Sequence, residues 1–222
     1  VNLPWSRILR ETLGEVDKTA DASVWGTKDK LSSPHAVLMN GSLVQSFELD
    51  DVHRVGVLHV GAVTLPGIFA ILEKDASISG KEFLASTVAG YEIGPRVGIC
   101  MGQEHIGQGW HSGATLGVFS AAAGSARALR LDVGQTVNAL GIGGTQAAGL
   151  MAAQYGSMVK RMHAGRSAQS GYYGAILAKK GFTGIQDVLE SEYGGFCTTF
   201  SRSTDRFNLA ALSDGLGERF ET

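Results

Sequence analysis

Acidic and imidazole side chains crowd one short stretch of this sequence, Glu48-Leu-Asp50-Asp51-Val-His53-Arg54, with His59 five residues further on. Only 18% of the chain is charged, so such a stretch invites three readings. It can be the solvated end of a helix, where His53 and Arg54 complement the macrodipole. It can be an active-site loop, in which neighbouring carboxylates raise one another's pKa or orient a histidine, leaving an acid or base poised near neutral pH. Asp50, Asp51, His53 and His59 can also be metal ligands. Against that third reading, an aspartate-rich magnesium motif would want a carboxylate where Arg54 stands, and the sequence has no HExxH helix or second histidine-rich pair.

Two further groups carry possible chemistry. In His105-Ile-Gly-Gln-Gly-Trp-His111-Ser-Gly, His111 stands beside glycines at the entry to a small-residue helix. Free backbone N–H groups there favour a carboxylate ligand, the plainer alternative being that His111 only caps the helix. Lys160-Arg161-Met-His163-Ala-Gly165-Arg166 sets three cations and a histidine at another helix start. That composition suits a di- or tricarboxylate, or else forms a basic surface turn.

The elements that must position these groups read as helices. Residues 36–49 place Val37, Asn40, Leu43, Val44 and Phe47 at helical spacing behind Pro34, and this helix is expected to run straight into Asp50 and Asp51. Residues 61–74 are apolar, and Ser79 with Glu82 has capping-box spacing ahead of a helix over about 80–100. Residues 112–130 are rich in Ala, Gly and Ser, which lets helix backbones approach closely. Asp132 to Gln135 marks another helix start, although Gly141, Gly143 and Gly144 weaken or kink that helix. A helix over 164–180 ends near Gly181, Thr183 to Gln186 predicts one more short helix carrying Val188 and Leu189, and residues 194–208 read as irregular. No period-2 alternation is long enough to require a sheet, so the fold class is all-α.

Composition narrows the partners. A net charge of −2 with scattered Lys and Arg gives no footprint for nucleic acid. The apolar stretches stop well short of the roughly 20 residues that span a bilayer. Cys100 and Cys197 lie far apart in sequence without a CxxC, which argues against a disulfide framework or a thiolate metal site and fits a reducing, cytoplasmic setting. The 31 glycines among 222 residues lack a triplet period and point to close helix packing and turns.

Taken in order, Asn40-Gly-Ser, Glu48-Leu-Asp-Asp-Val-His53, His59-Val-Gly, Ser79-Gly, Gly90-Tyr-Glu92 with Arg96, Gly109-Trp-His111, Lys160-Arg-Met-His163-Ala-Gly165 and Gly181-Phe-Thr-Gly184 resemble the MmgE/PrpD family over roughly residues 20–222. That family includes 2-methylcitrate dehydratase, cis-aconitate decarboxylase and iminodisuccinate epimerase. The resemblance implies a single helical domain over 1–222, truncated at both ends relative to the family. The α+β lid domain would lie outside this chain, and the chain alone would be inactive. It implies a cytoplasmic homodimer acting without metal or cofactor on a small di- or tricarboxylate, first of all as a 2-methylcitrate-type hydro-lyase, alternatively as a decarboxylase or epimerase. A truncated helical module serving only in dimerisation is the remaining alternative. Asp50, Asp51, His59, His111, Lys160 and His163 would be catalytic, with His53 and Arg161 on the substrate. His111 or His59 would move the proton, with Asp51 orienting an imidazole. Two departures bear on substrate identity: Val60 replaces the usual proline after His59, and Glu48 stands where many members have Asp.

Overall fold

A computed structural model describes residues 1–221. The chain is mainly helical: α1 (Pro4–Val16), α2 (Ser33–Val44), α3 (Val60–Leu72), α4 (Gly80–Met101), α5 (Glu104–Gly107), α6 (Ser112–Thr115), α7 (Gly117–Ala128), α8 (Val133–Gly144), α9 (His163–Lys179) and α10 (Phe196–Ser201). One antiparallel hairpin of two-residue strands, β1 (Ala22–Ser23) and β2 (Lys30–Leu31), precedes α2. Asn40 ties this hairpin to α2, its carboxamide donating to Ser23 O and accepting from Trp25 N.

The capping box expected at Ser79 forms, and the helix start read at Asp132 carries one as well. Ser79 Oγ accepts from Glu82 N while Glu82 Oε2 accepts from Ser79 N, and Asp132 with Gln135 does the same for α8. Arg130 beyond α7 then grips Glu82 at 2.7 Å and locks the start of α4 to the end of α7. Helix α7 is the hub. Its small residues Gly117, Ala121, Ala122, Gly124, Ser125 and Ala126 are buried under α3, α4, α8 and α9.

Glycine sets how close the helices come. A Cβ on Gly165 of α9 would stand 2.0 Å from Leu38 O, and one on Gly41 of α2 would stand 2.7 Å from Gly165 Cα, so α2 and α9 meet backbone to backbone.

Several elements differ from the sequence expectation. Helix α2 does not run to Asp50: it stops at Val44, gives way to a 3₁₀ turn over Gln45–Phe47, and Glu48 turns left-handed at φ 55°. Ser42 and Ser46 back-bond to Leu38 O and Ser42 O, which competes with a regular ladder there. Residues 186–190 form turns rather than a short helix. Gln186 donates to Asn138 Oδ1, the acceptor that also takes Gly184 N, so the side chain needed for a capping box is used elsewhere. Within 194–208 the structure holds α10, a six-residue helix too short to show periodicity, buried through Phe196 and Cys197. Helix α1 lies outside the segments expected above and carries Trp5, Ile8, Leu9 and Leu13 at helical spacing. The two cysteines are neighbours, their buried free sulfurs 3.8 Å apart. No helix among the described residues is long and apolar enough to cross a membrane.

Gly165→Ala is expected to cost about 3 kcal/mol or more, because the added methyl meets backbone rather than a movable side chain. Gly107→Ala, with nothing within 4 Å, is the control. Equal denaturation midpoints for the two variants would contradict the close crossing.

Candidate active site

The loop after α2 and the turn before α9 meet because their helices cross. Glu48 pairs with Lys160 and, at 2.8 Å, with Arg161 Nη1, joining segments 113 residues apart. The guanidinium of Arg161 also lies over the Trp5 ring at 5.6 Å.

Loop 48–59 is held at three further points. His53 and Leu58 form a short backbone bridge. Gly56 lies against α4, where a Cβ on Gly98 would stand 2.2 Å from Gly56 O. The Asp51 carboxylate accepts from Gly61 N at 3.0 and 3.2 Å, capping the first turn of α3, and Tyr91 OH also faces it. Burial and the Asp51 charge push the Tyr91 phenol well up, so it stays protonated.

These supports aim Asp50 and His59 at each other. His59 Nδ1 is 3.2 Å from Asp50 Oδ2, and the Asp50 side chain is only 5% exposed. The pair is close but not collinear: Nδ1 and both Asp50 oxygens lack an aligned hydrogen bond. The Asp50 carboxylate is the chief reason the His59 pKa is raised above 6.5, against the opposing effect of burial.

His111 precedes α6, its N–H donating to Gly149 O at 3.1 Å, and its ring lies 4.8 Å from that of His163 at the head of α9. Both are buried. Burial, then His163 and His59, lower His111 to about 4. Burial, then Lys160, lowers His163. Burial, then Arg161, also lowers Lys160. The arrangement therefore offers one histidine favoured as imidazolium beside two favoured as neutral imidazole, next to two cations.

Seven of the thirteen unmet polar atoms among the described residues lie in this cluster, the other six belonging to Ser33, His35, His105, Gln108, Trp110 and Ser125. Among the described residues, buried side-chain atoms without a hydrogen-bond partner include Gln45 Nε2 and Oε1, Asp50 Oδ1 and Oδ2, and Nδ1 of His59, His111 and His163. Buried polar groups are ordinarily paired, so such a concentration suits a ligand that supplies the missing partners.

Not every expected residue joins this cluster. His53 accepts from Gly56 N and sits 3.8 Å from Glu221, beside a separate cavity of about 190 Å³ that it shares with Asp51, Val60 and Tyr91. Asp51 serves α3, and the carboxylate closest to the His59 ring is that of Asp50, not Asp51. Of the two histidines considered for the proton, only His111 is held neutral. Tyr91, Glu92 and Arg96 prove structural. The buried Arg96 donates to Asp214 O and Arg219 O, and Glu92 accepts from Glu221 N, pinning residues 214–221 to α4. Gln45 escaped the sequence reading, although a glutamine four residues after Gly41 on a buried helix face was the available signal. Among the described residues no three His, Cys, Asp or Glu side chains converge as a metal-ligand set.

The histidines give the domain a signed pH dependence. Folded His111 and the buried His105 bind a proton only near pH 4, whereas the unfolded chain binds it near 6.5. Between those values the unfolded state holds more protons, so stability falls as the pH is lowered, by up to about 3 kcal/mol per histidine. His59 works oppositely: its contribution is present below 6.5 and is lost as pH rises through its raised folded value. The urea midpoint should therefore drop between pH 7 and 5, with a shallower drop in His111→Gln; an unchanged midpoint in the wild type would contradict the burial of neutral imidazoles.

Comparison with known proteins agrees with the motif order. The model of the MmgE/PrpD N-terminal domain matches residues 1–208. A cis-aconitate decarboxylase-like protein of Aspergillus oryzae is 38% identical over 100% of this chain and 48% of its own length. A cis-aconitate decarboxylase of Aspergillus terreus is 36% identical over 99% of the chain and 46% of its own length. Human cis-aconitate decarboxylase is 28% identical over 81% of the chain and 38% of its own length. The chain thus spans about half the length of the curated relatives it matches, and these names favour the decarboxylase alternative over the 2-methylcitrate dehydratase expectation. By its helical fold and by a match over nearly all its residues, the chain belongs to the MmgE/PrpD family, of which it is an N-terminal domain.

Proposed function

We propose that the whole protein is a decarboxylase of an aconitate-type tricarboxylate, and that the site between α2 and α9 binds that acid. The observation that carries this reading is 36–38% identity, over essentially the whole chain, to proteins named for cis-aconitate decarboxylation. The chemistry of the site is compatible with it. Loss of CO₂ from a β,γ-unsaturated acid breaks one C–C bond, and the electron pair moves through the double bond to the carbon next to another carboxylate. One proton must be added there.

His59, drawn towards imidazolium by Asp50, is the donor we assign. His111 and His163, kept neutral, can hydrogen-bond a carboxylate without carrying charge of their own. Lys160 and Arg161 neutralise a substrate carboxylate as they neutralise Glu48 in the free site. Phe47, Leu49, Val52 and Val55 leave an exposed apolar rim on the loop that bears Glu48 and Asp50. Such a rim supports a cover over the site, from the second half of the protein or from a partner copy in a homodimer. Dehydration of a hydroxy tricarboxylate would use the same groups, with His111 taking a proton from carbon, and remains the second reading.

Proton NMR of the whole protein with cis-aconitate in D₂O decides between them. The proposal expects CO₂ release and one solvent deuteron on the carbon beside a retained carboxylate. Dehydration of methylcitrate or citrate without CO₂ release from cis-aconitate would instead favour the hydro-lyase. His59→Gln and Lys160→Ala should each lower kcat by about 10²-fold. Wild-type turnover in either variant removes that residue from the mechanism.

A further inference from the structure

Gln45 opens the 3₁₀ turn after α2 and is 1% exposed, yet neither its Nε2 nor its Oε1 has a hydrogen-bond partner. A glutamine carboxamide carries two N–H donors and a carbonyl acceptor, and leaving them buried and unpaired is costly. The comparably buried Gln169 shows the ordinary solution: it donates to Pro34 O and accepts from Arg166. Packing alone does not account for Gln45, since an apolar side chain of similar shape would fill the space without that cost.

Its surroundings supply the missing reason. A Cβ on Gly113 would stand 3.7 Å from Gln45 Nε2 and 3.0 Å from His111 Cε1, so the carboxamide and the imidazole flank the same glycine. Three residues further on, Glu48 occupies Lys160 and Arg161, and two beyond that Asp50 faces His59. An amide there donates to an anion without adding charge, and it complements the neutral imidazole beside it.

We propose that Gln45 is a substrate-binding residue, whose carboxamide N–H donates to a carboxylate of the acid next to His111. This rests on the reading that the site takes a small polycarboxylate, and it adds a neutral donor to the cationic ones. The test uses Gln45→Met, close in shape but without the amide, in the whole protein. The probe is propane-1,2,3-tricarboxylate, an acid with neither a double bond nor a hydroxyl group to react.

The free variant should melt at the wild-type temperature or above, because an unpaired buried amide has been removed. Stabilisation by the tricarboxylate should be largely lost, and KM for the turned-over acid should rise about tenfold or more, with kcat changed only a few-fold. A structural role would instead lower the melting temperature by several degrees, and that result overturns the proposal. So does a variant that binds the tricarboxylate as tightly as the wild type, or a wild type that gains no stability from it. Gln45-dependent binding in a protein that releases no CO₂ from cis-aconitate would leave this inference standing and remove the decarboxylase reading.

Discussion

Where α2 crosses α9, glycines 41 and 165 leave no room for a Cβ on either backbone, and the geometry of the candidate site depends on that contact. The chain leaving α2 supplies Gln45, Glu48 and Asp50, while the chain entering α9 supplies Lys160, Arg161 and His163. A wider crossing would part Glu48 from its two cations and move His163 relative to His111. The second contact of this kind, Gly56 on Gly98, fixes the far end of the loop and hence His59. Small residues along α7 serve the same end, letting four helices pack around one without separating the site segments.

The site itself runs against the rule that buried polar atoms are paired. Carboxamide, carboxylate and imidazole groups are buried together without partners of their own. Such a set lowers the stability of the free domain, and the capping boxes, the Arg130–Glu82 clamp and the buried Arg96–Glu92 pair lie on helices away from it. Burial and charge divide the imidazoles by protonation: the one beside Asp50 is held towards the cation and the two facing each other are held neutral. Imidazoles of opposite protonation preference thereby stand side by side in one cluster.

The sequence was most informative where structure is local. Capping boxes at Ser79 and Asp132 depend on four consecutive residues, and both helices start as expected. The 48–59 loop was less legible. That Asp51 caps α3 while its neighbour Asp50 meets His59 is decided by the left-handed turn at Glu48 and by Gly56 on α4, neither of which is a pattern in residue type. His53 has the spacing of a site residue but is turned towards Gly56 and Glu221 by the same loop. Thr183 to Gln186 carried a valid capping signal that Asn138, 48 residues before Gln186, overrode. The position of Gln45 after Gly41 is legible in the sequence but its role is not, because an unpaired amide is recognised only once its burial and its neighbours are known.

The proposed carboxylate site is the group of unpaired polar atoms between α2, α6 and α9. A crystal structure of the whole protein with propane-1,2,3-tricarboxylate would show where the acid sits. Carboxylate oxygens are expected within hydrogen-bonding distance of Lys160 and His111, with the Asp50–His59 pair facing the same molecule. An acid bound instead in the cavity lined by His53, Tyr91 and Glu221, with the Asp50, His111 and His163 atoms still unpaired, would contradict that assignment.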